Sequence, residues 1–195
     1  YAMTNHISNS EAYREICESL QNGEFDTQRY EPTSPAPREQ EYAVQSQLAD
    51  IRTIHQTFSM MLNMPTLSKE HRHHLNEVRG LTDDQIDKLQ YRSTPPFYSC
   101  KKIARVLREK GCTLEGVPGF YMKDGEWTVK FYSKTAGILI PVRGIDGLIR
   151  GMQIRLDVPI KDEGADADKS GTKYIWLSSA GKEMGVSSGS HVHFV

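Results

Sequence analysis

Between Gly137 and Ser179 the apolar positions fall in short, nearly continuous runs separated by turn residues: Gly-Ile-Leu-Ile-Pro-Val, then Leu-Ile-Arg-Gly-Met-Gln-Ile-Arg-Leu, then Lys-Tyr-Ile-Trp-Leu. Short runs rich in β-branched and aromatic residues predict strands. We assign strands to Gly137–Val142, Leu148–Leu156 and Lys173–Ser178. A further strand, Trp127–Tyr132, is expected to pair with the first of these through Ser133–Ala136. Asp146-Gly147 lies between the first two runs and suits a tight hairpin, because both residues tolerate positive φ. The stretch from Asp157 to Gly171 is acidic and contains two glycines. It predicts a mobile loop.

Upstream of Glu126 the period is helical. Tyr13, Ile16, Cys17 and Leu20 share one face of a helix from Ser10 to Leu20. Three prolines, Pro32, Pro35 and Pro37, cannot continue a helix and mark a linker. From Glu41 to Asn63 a longer helix is predicted, with Val44, Leu48, Ile51, His55, Phe58 and Leu62 spaced alternately four and three apart. So short a seam packs on a neighbour in its own chain, with a dimer as the alternative, and His55 on it is a boundary histidine with a hydrogen-bond partner. Met64-Pro65 ends the helix, and the reading divides the chain into a helical N-terminal region, 1–65, and a core, 66–195. Ser68 caps a helix through Val78, Gly80 stops it, and Thr82 with Gln85 forms a capping box for the next helix. The pair resembles a helix-turn-helix, but Asp83, Asp84 and Asp87 on its second helix would repel phosphates, so it reads as structural. Ser99 caps Cys100–Lys110, which points Ile103 and Leu107 inward and Lys101, Lys102, Arg105 and Arg108 mostly outward. The fold class is α+β: a helical N-terminal region followed by a mixed core with an antiparallel sheet.

The net charge of −1 over 195 residues hides an asymmetry. Residues 1–65 carry four Lys/Arg against nine Asp/Glu, whereas Lys88 to Arg155 carries thirteen against five. A local positive field of this kind is the footprint of a nucleic-acid surface, or of a solvated helix face. Cys17, Cys100 and Cys112 are widely separated and offer neither a disulfide framework nor a zinc knuckle. With no membrane-length apolar run and no signal peptide, the expected location is cytoplasmic.

Candidate chemistry is sparse. His71 and His74 share a helical face, and His191 and His193 alternate to one side of an expected terminal strand. Neither pair has the carboxylate or thiol partners a metal site requires, so no metal site is assigned. The chain's Asp-x-Asp, Asp166-Ala-Asp168, lies in a polar loop with no strand leading into it. No phosphate-binding glycine loop and no supported nucleophile-base constellation is present, and no catalytic residue is assigned.

Several residues together resemble a known family. An apolar strand with Pro141 and Arg143, then Gly147-Leu-Ile-Arg-Gly151, Arg155, Lys173-Tyr174 and Ser178-Ser179 is similar to part of the polymerase core of bacterial replicative DNA primases. Arg79-Gly80-Leu81-Thr82, Ile86, Tyr91-Arg92-Ser93, Ile103, Leu107, Gly111 and Gly119 follow the same family in the same order. The resemblance spans about Leu67 to Val195 and is nearest to primase-like proteins of mobile elements and phages, in which this region precedes a Toprim catalytic domain. It implies a fragment ending before the Toprim carboxylates, with Mg²⁺ expected only in that missing part and no cofactor in this chain. It also implies one wall of a basic groove for single-stranded DNA template. There Arg143, Arg150, Arg155 and Lys173 would neutralise phosphates, Tyr174 or Trp176 would stack a base, and Lys101, Lys102 and Arg105 would lie nearby. The acidic N-terminal helices are the candidate docking site for a helicase or other replication protein. The competing readings are a complete, non-enzymatic nucleic-acid- or partner-binding module, and a purely structural interaction domain.

Overall fold

The structure, a computed structural model, describes residues 46–161 and 171–194 together with Glu11, Arg14 and Glu18. Those three isolated residues are helical and exposed; the rest of the predicted first helix and the proline linker lie outside the described residues. The chain divides into two compact units, Tyr1–Gln40 and Glu41–Val195. All that follows concerns the second.

Helix α1, Ile51–Leu62, begins later than its apolar spacing predicts. Asp50 stops it, accepting hydrogen bonds from the backbone N–H of Arg52 and Thr53 at 2.9 and 3.1 Å, while Ala49 donates its N–H to the carbonyl of Gly116. Leu48 therefore lies in non-helical chain, 55% exposed, and the expected seam loses its first turn. Val44 lies outside the described residues. The remaining face buries Ile54, Phe58, Met61 and Leu62 in the main core, within the compact unit that begins at Glu41.

Helix α2, Lys69–His73, is capped by Ser68 and continues as a π-helical turn, His74–Val78. Helix α3, Asp83–Leu89, has the predicted Thr82–Gln85 capping box and ends at Gln90 in the left-handed region. Helix α4, Cys100–Glu109, buries Ile103, Ala104 and Leu107. Ser99 does not cap it through its side chain; its hydroxyl donates to the Pro96 carbonyl instead.

The strands are β1 Arg92–Ser93, β2 Phe120–Lys123, β3 Glu126–Val129, β4 Gly137–Arg143, β5 Ile149–Ile160 and β6 Thr172–Trp176. Among the described residues they form an antiparallel sheet ordered β1-β4-β5-β6 and a separate β2-β3 hairpin. The strand expected at Trp127–Tyr132 thus pairs backwards with β2, and β1 takes the edge of β4 intended for it. Asp124 and Gly125, at φ 54° and 74°, make the two-residue turn that closes β2 on β3. The Asp146-Gly147 turn is looser: only Gly147 has positive φ, and a register shift separates Val142 from Arg143. Strand β5 also runs through Asp157 to Ile160, where a loop was expected, because Asp157 extends the ladder by donating its N–H to the Ala136 carbonyl and Ile160 pairs with Thr172. The expected terminal strand at His191 and His193 is irregular chain.

Side-chain alternation gives the sheet two different faces. Leu139, Met152, Ile154 and Leu156 enter the main core with α1, α4, Phe120 and Val129. On the other face Ile138 meets Leu75 and Ile86, with Ile140, Leu67 and Leu81 packed around them. Helices α2 and α3 thus cover the β4 side of that face.

Candidate nucleic-acid interface

Strand pairing sets Arg155 opposite Tyr174 and Gln153 opposite Trp176. Because Ile154 and its partner Ile175 turn to the main core, Arg155, Gln153, Tyr174 and Trp176 stand on the opposite face. Tyr174 is 43% exposed. Arg79, in the turn leaving the π-helix, donates to the Tyr174 hydroxyl at 3.2 Å and brings a second cation to this face. At the near end His71 Nε2 meets Asp157 at 2.8 Å, while its Nδ1 meets the Ser93 hydroxyl at 2.7 Å. The Asp157 carboxylate is thereby held by a neighbouring side chain beside Arg155. Burial first, then the charges of Arg155 and Arg79, lower the His74 pKa, so that imidazole stays neutral beside them at neutral pH.

Trp176 is held from its other side. His191 meets its ring edge-on at 5.7 Å between centroids. Gly151 on β5 leaves room for both, since an added Cβ would stand 3.0 Å from each ring. A cation, a tyrosine and a tryptophan thus share one face of the sheet, with the tyrosine met by Arg79 and the tryptophan by His191.

The other predicted residues are placed differently. The Arg143 guanidinium donates to the Gln90 side chain and, at 2.8 Å, to the Gly147 carbonyl; burial lowers its pKa. It braces the β4–β5 turn and is not free for a phosphate. Arg150 donates to Asp146 at 2.9 Å within the same turn. Lys173 is exposed but alternates to the face away from Tyr174. Lys101, Lys102 and Arg105 extend from α4, on the core side of the sheet, with Lys101 2.7 Å from Glu126. The single groove implied by the resemblance is therefore divided between two surfaces. Arg79 and Gln153 were not singled out by sequence; Arg79 stands in the Arg-Gly-Leu-Thr segment, but the reach of its side chain to β6 has no local signature. Among the described residues no three His, Cys, Asp or Glu side chains gather to hold a metal ion, and Asp166 and Asp168 lie outside those residues. Among them, too, no helix is long and apolar enough to cross a membrane.

No family model matches the chain, and no curated protein matches it. Solved structures similar to it include the RNA polymerase domain of Mycobacterium tuberculosis primase DnaG in complex with a double-stranded DNA oligomer with a 6-nucleotide overhang, at TM-score 0.48 and 15% identity. That alignment covers 68% of this chain and 40% of the other. The Aquifex aeolicus primase, zinc-binding and RNA polymerase domains, aligns at TM-score 0.47 and 15% identity over 91% of this chain and 37% of its own. A DnaG primase catalytic domain bound to single-stranded DNA aligns at TM-score 0.36 and 18% identity over 65% and 37%. The chain spans about 40% of the length of the first of these.

Proposed function

We propose that this chain holds single-stranded DNA on the β5–β6 face, as the template-handling part of a primase-like replication protein. The observation that carries this reading is the register that sets Arg155 against Tyr174 and puts Trp176 beside them on the face away from the main core, where Tyr174 is exposed and Arg155 and Trp176 are half-buried. Single-strand binding combines cations that follow the backbone with aromatic faces that stack bases, and stacking tolerates any sequence because every base has a π-face. The co-linear sequence resemblance to primases over Leu67–Val195 supports the same reading. It also supports a parent protein of the mobile-element or phage type, cytoplasmic, with a Toprim domain supplying Mg²⁺ and the polymerising carboxylates. The described residues do not fit that metal, and no step of the binding depends on it. The helicase contact proposed for the N-terminal helices belongs to the same scheme.

Fluorescence anisotropy of a labelled oligothymidine at several salt concentrations tests the proposal. Binding is expected to be sequence-tolerant and to weaken with salt by about −0.7 in the log-log slope per phosphate contacted. Equal affinity for duplex and single strand would contradict it.

A further inference from the structure

We propose that the outward side of α4 and the adjoining Phe97-Tyr98 turn form a second surface for single-stranded nucleic acid, distinct from the β5–β6 face. This rests on nucleic acid being the ligand of the chain.

Two clefts meet there. One, about 770 Å³, lies between α4 and the β2–β3 turn, with Lys102, Arg105 and Arg108 on one side and Trp127 on another. Its neighbour, about 400 Å³, is lined by Phe97, Tyr98 and Tyr132, and Lys101 borders both. The three aromatic side chains are 61%, 79% and 44% exposed. Leaving that much apolar ring in water is unfavourable, and a cluster of such rings marks a contact surface.

The rings are held in place. Phe97 and Tyr98 meet edge to face, 5.9 Å between centroids. The Tyr132 backbone is fixed by the Thr135 hydroxyl, which accepts its N–H at 3.1 Å and donates to its carbonyl at 3.0 Å. A ring already fixed loses little freedom when a base stacks on it.

Charge selects the occupant. Glu126 takes Lys101 at 2.7 Å and Glu109 stands 4.0 Å from Arg105, but the Lys102 ammonium and Arg108 guanidinium make no hydrogen bond or ion pair with the described residues. These exposed cations beside open aromatic faces fit a chain that repeats anionic phosphate and planar base. A duplex would present the phosphates but keep its base faces stacked. The surface therefore suits a single strand.

Photo-crosslinking an oligothymidine substituted with 5-iodouracil, followed by peptide mapping, reads which aromatics the bases touch. Crosslinks at Phe97, Tyr98 or Tyr132 are expected. In the anisotropy assay Lys102→Gln/Arg108→Gln should flatten the log-log salt slope by about 1.4, and Tyr98→Ala should weaken binding about fivefold or more at every salt concentration. Crosslinks confined to Tyr174 and Trp176, with no effect of the α4 variants, would overturn this second surface and leave the first standing. An acidic peptide that competes as well as unlabelled oligonucleotide at the Phe97-Tyr98 turn would assign the surface to a protein partner and overturn it. No binding by the folded chain would overturn both surfaces.

Discussion

The Nδ1 of His193 accepts the backbone N–H of Arg143 at 3.0 Å. Across the same turn His55 Nδ1 accepts the N–H of Ile149 at 3.1 Å. Arg143 and Ile149 are the last paired residues of β4 and β5, so two neutral imidazoles close the end of the hairpin. Burial, and then the Arg143 charge, lower both pKa values below the ordinary 6.5, with Asp146 partly opposing this at His55. A protonated Nδ1 cannot accept a hydrogen bond.

Histidines with depressed pKa values add stability that is complete above their unfolded value, near 6.5, and lost as pH falls through the lowered folded values. Urea midpoints measured between about pH 8 and pH 5 should therefore drop on the acid side. The drop should shrink in His55→Gln and His193→Gln. An unchanged acid dependence in the double variant would assign it to other groups.

Gly151→Ala tests the placement of Trp176. Its new Cβ would stand 3.0 Å from the Trp176 and His191 rings, so the indole must shift. Oligonucleotide affinity should fall by a factor independent of salt, because stacking, worth roughly 1–3 kcal/mol per base, is lost while phosphate contacts remain. Far-UV circular dichroism should be unchanged.

Phe58 is fully buried on α1 and belongs to the main core. Phe58→Ala should cost about 3–5 kcal/mol in urea unfolding. A chain beginning at Thr66 should fail to fold cooperatively, whereas one beginning at Glu41 keeps this core. Cooperative folding of the shorter chain would place the division at Pro65.

Local signals were easiest to read in the sequence. The Thr82 capping box, the stop at Gly80 and the strands at β4, β5 and β6 follow from residues only a few positions apart. Pairing across distance was not legible. Lys123-Asp-Gly-Glu126 carries the same turn dipeptide as Asp146-Gly147, yet only the structure shows that Asp124-Gly125 makes the tight turn and diverts β3 to β2. Alternation along one strand puts Tyr174 and Trp176 on one face, but only the pairing of Ile154 with Ile175 shows that this is the face away from the main core. Arg143 and Arg155 look equivalent in sequence. Gln90, brought in by the end of α3, and the Gly147 carbonyl engage the Arg143 guanidinium, while Arg155 stands opposite Tyr174 on the face away from the main core.

Arg155 compared with Arg150, another β5 arginine, supplies the most direct test of the central claim. The log-log salt slope for oligothymidine binding should flatten by about 0.7 in Arg155→Ala and remain at the wild-type value in Arg150→Ala, whose guanidinium is already engaged by Asp146. An unchanged slope in Arg155→Ala, with binding otherwise intact, would contradict the β5–β6 face as the strand-holding surface.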